Sequence, residues 1–170
     1  MLLICAASSG DNLKLAAKLK AMAIDQGLDC ELIDLSDTGL PLYSRKTDSG
    51  EAPQGFAELH ALFQRARGYI FCAPEYNGSM PPAMTNAIAW LSVASQDFRA
   101  LFNGRPVAIA THSGGSGAKL MVAMRLQLGH LGANVLGREL FTNKNRPLSI
   151  KAAESVLEQL AAQMLSHPYP

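Results

Sequence analysis

Short runs that are apolar throughout alternate along this chain with longer stretches in which apolar residues recur every three or four positions. Met1-Leu2-Leu3-Ile4-Cys5-Ala6-Ala7 is apolar at every position, the pattern of a strand covered on both faces. From 11 to 26, Leu13, Ala16, Ala17, Leu19, Met22 and Ala23 repeat at helical spacing, and Gly27 supplies a stop. Leu28 to Leu35 reads as a second strand, Tyr69 to Ala73 as a third, Pro106 to Thr111 as a fourth and Ala133 to Phe141 as a fifth. Helical patterns over 54–66, 81–95 and 116–131 fall between them, and a last one closes the chain over 149–165. Such alternation predicts an α/β protein whose parallel sheet carries helices on both faces.

A length of 170 residues argues for one domain, 1–170, around a single core. Five strands in that length predict the flavodoxin-like, doubly wound order 2-1-3-4-5 over a six-stranded dinucleotide fold. The segment from Asp34 to Pro53, rich in Ser, Asp, Gly and Pro, reads as a long surface loop anchored by Leu40, Leu42 and Tyr43. A formal charge of +1 and a pI near 7.8 give no reason to expect nucleic acid or an anionic membrane as partner. No apolar run reaches the ~18 residues of a membrane span, so a cytoplasmic protein is expected. Cys5, Cys30 and Cys72 lie in strand-like runs, and their spacing suits neither a metal site nor a disulfide framework. No metal is expected.

Candidate chemistry lies in three loops, each following a predicted strand. Ser8-Ser9-Gly10-Asp11-Asn12-Leu13 opens the first helix. Its hydroxyls, amide and glycine at a helix N-terminus make an anion site, although Ser9 and Asp11 serve equally well as plain helix caps. The loop has neither G-x-G-x-x-G nor Walker A spacing, so a monophosphate is preferred to a pyrophosphate. Pro74-Glu75-Tyr76-Asn77-Gly78-Ser79 forms a polar turn with one aromatic, between a buried strand and a proline-initiated helix. An aromatic face, an amide and backbone groups together suit a flat heterocycle. Thr111-His112-Ser113-Gly114-Gly115-Ser116-Gly117-Ala118-Lys119 precedes another helix and matches neither a Walker A motif nor a G-x-S-x-G nucleophile elbow. His112, a lone histidine at a strand end, reads as structural.

The stretch from Pro74 to Ser92 closely resembles the flavin-ring loop of the NADPH-dependent FMN reductase family, roughly P-E-Y-N-(H/G)-S-x-P-x-x-L-K-N-A-I-D-W. The likeness extends more weakly over residues 1 to 140. It implies an FMN-dependent NAD(P)H oxidoreductase in which a nicotinamide passes hydride to flavin N5. A quinone, azo compound, metal ion or free flavin then takes the electrons by a ping-pong route. It also implies cofactor contacts from Ser8, Gly10, Asp11, Asn12 and Leu13, from Pro74 to Ser79, and from Ser113, Gly114 and Gly115. No catalytic acid, base or nucleophile is required, because the chemistry belongs to the cofactor.

The chain departs from the family's usual Gly-Ser-x-Arg-x-x-Ser-x-Asn loop in having no arginine there, and Asp11 brings negative charge toward a dianion. Lys14 is the nearest compensating cation in sequence. Modest discrimination between NADPH and NADH is expected, since that arginine is missing. Two alternatives stay open: a flavodoxin-type electron carrier, which would normally be acidic, and a flavin-free interaction protein on the same fold. From Tyr76 to Gln96 there is no charged residue. Met84, Ile88 and Leu91 face the core at helical spacing, leaving Thr85, Ala89, Ser92 and Val93 as a neutral outer face. A homodimer or homotetramer formed through that helix is expected.

Overall fold

The computed structural model describes residues 1–48 and 52–166. Strands β1 (Leu2–Ala6), β2 (Cys30–Asp34), β3 (Gly68–Cys72) and β4 (Pro106–His112) pair in parallel in the order β2-β1-β3-β4. The short strands β5 (Asn134–Val135) and β6 (Leu140–Thr142) both pair with β4. Helices α1 (Asp11–Asp25), α2 (Phe56–Arg65), α3 (Pro82–Ser92), α4 (Ala118–His130) and α5 (Ile150–Ser166) flank the sheet. This is the expected order 2-1-3-4-5.

β1 and β3 are buried at all five of their positions, which accounts for their unbroken apolar sequence. Leu3, Cys5, Tyr69 and Phe71 point to the face covered by α2, α3 and α4, while Leu2, Ile4, Ile70 and Cys72 point to the face covered by α1 and α5. Each core therefore takes alternate residues of the same strands, as the period-two pleat demands. Fully burying a Leu, Ile or Phe contributes about 1.5–3 kcal/mol, so the central strands stabilise both layers at once.

Ala133 to Phe141 was expected to form one strand, and it forms two. Between the pairs Val107↔Val135 and Ala110↔Leu140, β4 advances by 110 − 107 = 3 residues and its partner by 140 − 135 = 5. The two extra residues bow away from the sheet. Arg125 of α4 holds the bow, donating to the carbonyl oxygens of Val135 (3.3 Å) and Leu136 (2.8 Å) and to Glu139 Oε1 (2.8 Å). The chain then rejoins β4 beside its carboxyl end, which is also where the loops of interest emerge.

The long loop after β2 keeps two of its three expected anchors. Leu40 packs against the core, and Tyr43 meets Trp90 edge-on at 5.2 Å. Leu42 is exposed and anchors nothing. Trp90 Nε1 and Asn86 Nδ2 both donate to the Pro41 carbonyl (2.8 and 3.0 Å), so part of α3 is covered by the chain itself. Residues 49–51 of that loop lie outside the described residues. No helix among the described residues is long and apolar enough to cross a membrane.

Candidate functional site

The loops after β1, β3 and β4 converge at the carboxyl edge of the sheet, where open α/β folds bind ligands. They enclose a cleft of about 380 Å³ walled by Ser8 to Asn12, Pro74 to Tyr76, His112 to Gly114, and Lys144.

Buried polar groups fasten these loops to one another. Asn12 is only 2% exposed. Its Nδ2 donates to the His112 carbonyl (2.9 Å) and its Oδ1 accepts from the His112 N–H (2.8 Å), which pins the start of α1 to the end of β4. Thr111 Oγ1 donates to the Ala73 carbonyl (2.7 Å). With its one proton spent there, it must accept from Ser113 Oγ at 2.7 Å. Ser113 Oγ in turn accepts from the Glu75 N–H (2.9 Å). The same reasoning places a hydrogen on one histidine nitrogen. Thr142 Oγ1 donates to the Thr111 carbonyl (2.8 Å), so its 3.0 Å contact with His112 requires Nδ1 to carry the hydrogen, which leaves Nε2 facing Asp11.

Glycine is needed where the third loop closes. Gly117 has φ +69°, and a Cβ there would lie 2.8 Å from the Thr111 methyl group. The Glu75 carboxylate accepts from the Leu120 N–H at 3.4 Å, against the N-terminal turn of α4, where the helix dipole favours negative charge. Glu75 thus organises the second and third loops. In the turn of the second loop, Tyr76 and Ser79 exchange backbone hydrogen bonds of 3.0 Å in both directions. Asn77 (φ 51°) and Gly78 (φ 77°) form its corner in the left-handed region. This corner supports Tyr76, whose side chain is 50% exposed.

At the first loop, α1 begins on Gly10 with no side-chain cap, so neither Ser9 nor Asp11 caps it. Among the described residues the N–H groups of Asp11 and Asn12 have no acceptor, and nothing lies within 4 Å of where a Gly10 Cβ would sit. These free donors belong to residues on the cleft wall beside that open space, the arrangement that binds an anion. Asp11 does not carry an unanswered charge. Lys14 Nζ sits 2.9 Å from Oδ1 and His112 Nε2 sits 3.8 Å from Oδ2. The hydrogen bond and charge of Lys14, then His112 and Lys144, hold its carboxyl below the usual carboxylate range.

Of the residues singled out in the sequence, Ser8, Gly10, Asp11, Asn12, Pro74, Glu75, Tyr76, Ser113 and Gly114 are brought together on the cleft wall. Asn12 and Ser113 have their side chains committed to other loops. Leu13, Asn77, Gly78, Ser79 and Gly115 stand off that wall. Leu13 packs against the core under α1 and α5, while Asn77 and Gly78 are spent on the turn, Gly78 lying against the Lys119 side chain. Lys14 is engaged by Asp11 and is not the spare cation its sequence position suggested. Sequence reasoning missed Lys144, which reaches the cleft from the turn after β6. It belongs to no motif and is more than 130 positions from the loop it faces.

Cys5 and Cys72 are buried and Cys30 is half-buried; burial pushes all three thiols up. No group of side chains among the described residues is arranged to hold a metal.

The sequence profile of the NADPH-dependent FMN reductase family matches residues 1–146. An NAD(P)H-dependent FMN reductase of Pseudomonas aeruginosa is 30% identical over 153 residues, covering 84% of this chain and 80% of that protein. A quinone reductase of Escherichia coli is 34% identical over 105 residues, covering 60% of this chain and 54% of that one. In three dimensions, an oxidoreductase from Corynebacterium diphtheriae superposes with a TM-score of 0.78 at 17% identity, covering 98% of this chain and 97% of that one.

Proposed function

The chain belongs to the NADPH-dependent FMN reductase family, and we propose that it binds FMN in the cleft between Gly10, Tyr76 and Gly114. There it would serve as an NAD(P)H oxidoreductase. The observation that carries this reading is the meeting of free α1 N–H groups with an exposed tyrosine turn across one cleft. Asp11 and Asn12 N–H groups, with the Ser8 and Ser9 hydroxyls, suit the terminal phosphate. Tyr76 and the backbone of Pro74, Glu75 and Gly114 suit the ring. Bound FMN would accept hydride at N5 from a nicotinamide and hand the electrons to a quinone, azo, metal-ion or flavin acceptor in a ping-pong cycle.

The chain's own residues supply orientation and electrostatics. The Ser113–Thr111–Ala73 hydrogen-bond chain fixes the spacing between the second and third loops, so donors need not reorganise when the ring binds. Glu75 is occupied at α4, and no side chain here is assigned as acid, base or nucleophile. NADPH and NADH would be used with modest discrimination. The test is a visible spectrum of protein reconstituted with FMN, followed by steady-state oxidation of NADPH and of NADH with a quinone. A flavin spectrum with turnover is expected; protein that holds no flavin and oxidises neither donor would overturn the reading.

We also propose a homodimer or homotetramer. The neutral outer face of α3 keeps Thr85 and Ala89 half-exposed. α4 packs on the same sheet face and presents Val122 (68% exposed) and Leu126 (75% exposed) to the outside. A neutral face on α3 and exposed apolar side chains on α4, both in the same layer, support a subunit contact. Light scattering of wild type, Ala89→Arg and Leu126→Glu tests it: a monomeric wild type, or two variants of unchanged mass, would refute the contact.

A further inference from the structure

The missing arginine of the first loop leaves a charge to be found elsewhere. Lys14 does not provide it, since its ammonium is engaged by Asp11 at 2.9 Å. Lys144 lines the same cleft as Ser8 to Asn12. Among the described residues its side chain makes no ion pair or hydrogen bond. Its charge reaches the first loop, since it contributes, after Lys14 and His112, to the lowering of the Asp11 carboxyl.

Beneath this long side chain the backbone is fixed. Asn143 and Arg146 exchange backbone hydrogen bonds of 2.9 and 3.1 Å, and Asn143 Oδ1 accepts from the Asn145 N–H at 2.9 Å. The turn is rooted on β4 through the β6 ladder and the Ser113 N–H to Thr142 carbonyl bond of 3.2 Å. The cation therefore leaves a hydrogen-bonded two-residue tip, and it lines the same cleft as the first loop. An anion seated on the free N–H groups of α1 would share that cleft with Lys144.

We propose that Lys144 is the cation that holds the terminal phosphate of FMN, replacing from the far end of the chain the arginine that the first loop lacks. This rests on the flavin reading above and assigns one residue within it. The charge comes from a turn that no phosphate-loop pattern includes, so the first loop can stay short.

The test is equilibrium titration of flavin-free protein with FMN and with riboflavin, followed by quenching of flavin fluorescence, for wild type, Lys144→Gln and Lys144→Arg. Wild type is expected to prefer FMN. Lys144→Gln should weaken FMN about ten- to a hundredfold, the range of one charge-assisted hydrogen bond, and leave riboflavin unchanged. Lys144→Arg should keep most of the preference. The salt dependence of FMN binding should flatten in Lys144→Gln, because an exposed charge pair is screened. A Lys144→Gln protein with the wild-type preference for FMN would overturn this assignment alone. A wild type that binds neither flavin would overturn the flavin reading and this assignment with it.

Discussion

Replacing Asn12 with alanine separates two roles that one residue of the first loop could play. If its side chain is a tether, the cost falls on the folded protein before any ligand is added. The amide makes two hydrogen bonds of 2.9 and 2.8 Å with the backbone of His112 and is 2% exposed. Each such bond contributes ~1 kcal/mol net, and a buried group left dry costs ~1–3 kcal/mol. Asn12→Ala strands both the N–H and the C=O of His112, so a loss of about 2–5 kcal/mol is expected. In a domain of this size that corresponds to a fall of roughly 5–15 °C in melting temperature.

The assay is thermal and urea unfolding of the flavin-free protein. A flavin-free melting temperature that stays put while FMN affinity drops would make Asn12 a phosphate ligand and refute the tether. Asn12→Asp sharpens the test. Its carboxylate keeps an acceptor for the His112 N–H but sets negative charge against the His112 carbonyl. Protonation restores a donor, so the deficit of this variant relative to wild type should shrink as pH falls.

Tyr76→Ala removes a half-exposed aromatic face, so FMN should weaken by about 1 kcal/mol with the melting temperature almost unchanged; a collapse in melting temperature would make the turn structural. A thiol reagent at neutral pH should modify Cys5 and Cys72 only after unfolding, since burial disfavours their thiolates; rapid labelling of the native protein at either position would contradict the core packing. The lowered folded-state pKa of Asp11 means that its pairing with Lys14 stabilises the protein above the ordinary carboxylate range and is lost as pH falls through the folded value. NMR titration should show Asp11 below that range in wild type and moved upward in Lys14→Gln.

Much of the fold was readable in the sequence because each layer imposes its own period. Strands buried on both faces must be apolar at every position, as in Leu2 to Ala6 and Gly68 to Cys72, while α1 needs only one apolar stripe. The break between β5 and β6 was not readable. It depends on Arg125 of α4 taking the carbonyls of Val135 and Leu136, a tertiary contact that leaves no local trace in an otherwise strand-like run. At the site, glycine, hydroxyl and aromatic positions marked the three loops correctly as neighbours of strand ends. What each side chain does there was hidden. The Asn12 side chain has its partner 100 positions away, and Lys14 looks free until Asp11 is seen to hold it. Lys144 has no signature because its role is set by where β6 rejoins β4.

Thr111 touches every loop of the cleft except the first. Its hydroxyl binds the Ala73 carbonyl and Ser113, its carbonyl receives Thr142, and its methyl group sits where a side chain at Gly117 would have to go. Changes at 73–75, 113, 117 and 142 therefore act on a shared partner, and their effects should not add. Such coupling is a historical constraint as much as a mechanical one. A mutation at Ser113 that is harmless beside one neighbour becomes damaging beside another, so lineages would accumulate compatible sets of residues. A designer who transplants one loop from a relative would import a half of a lock, whereas moving residues 73–75, 111–117 and 142 together would carry the whole fitting across.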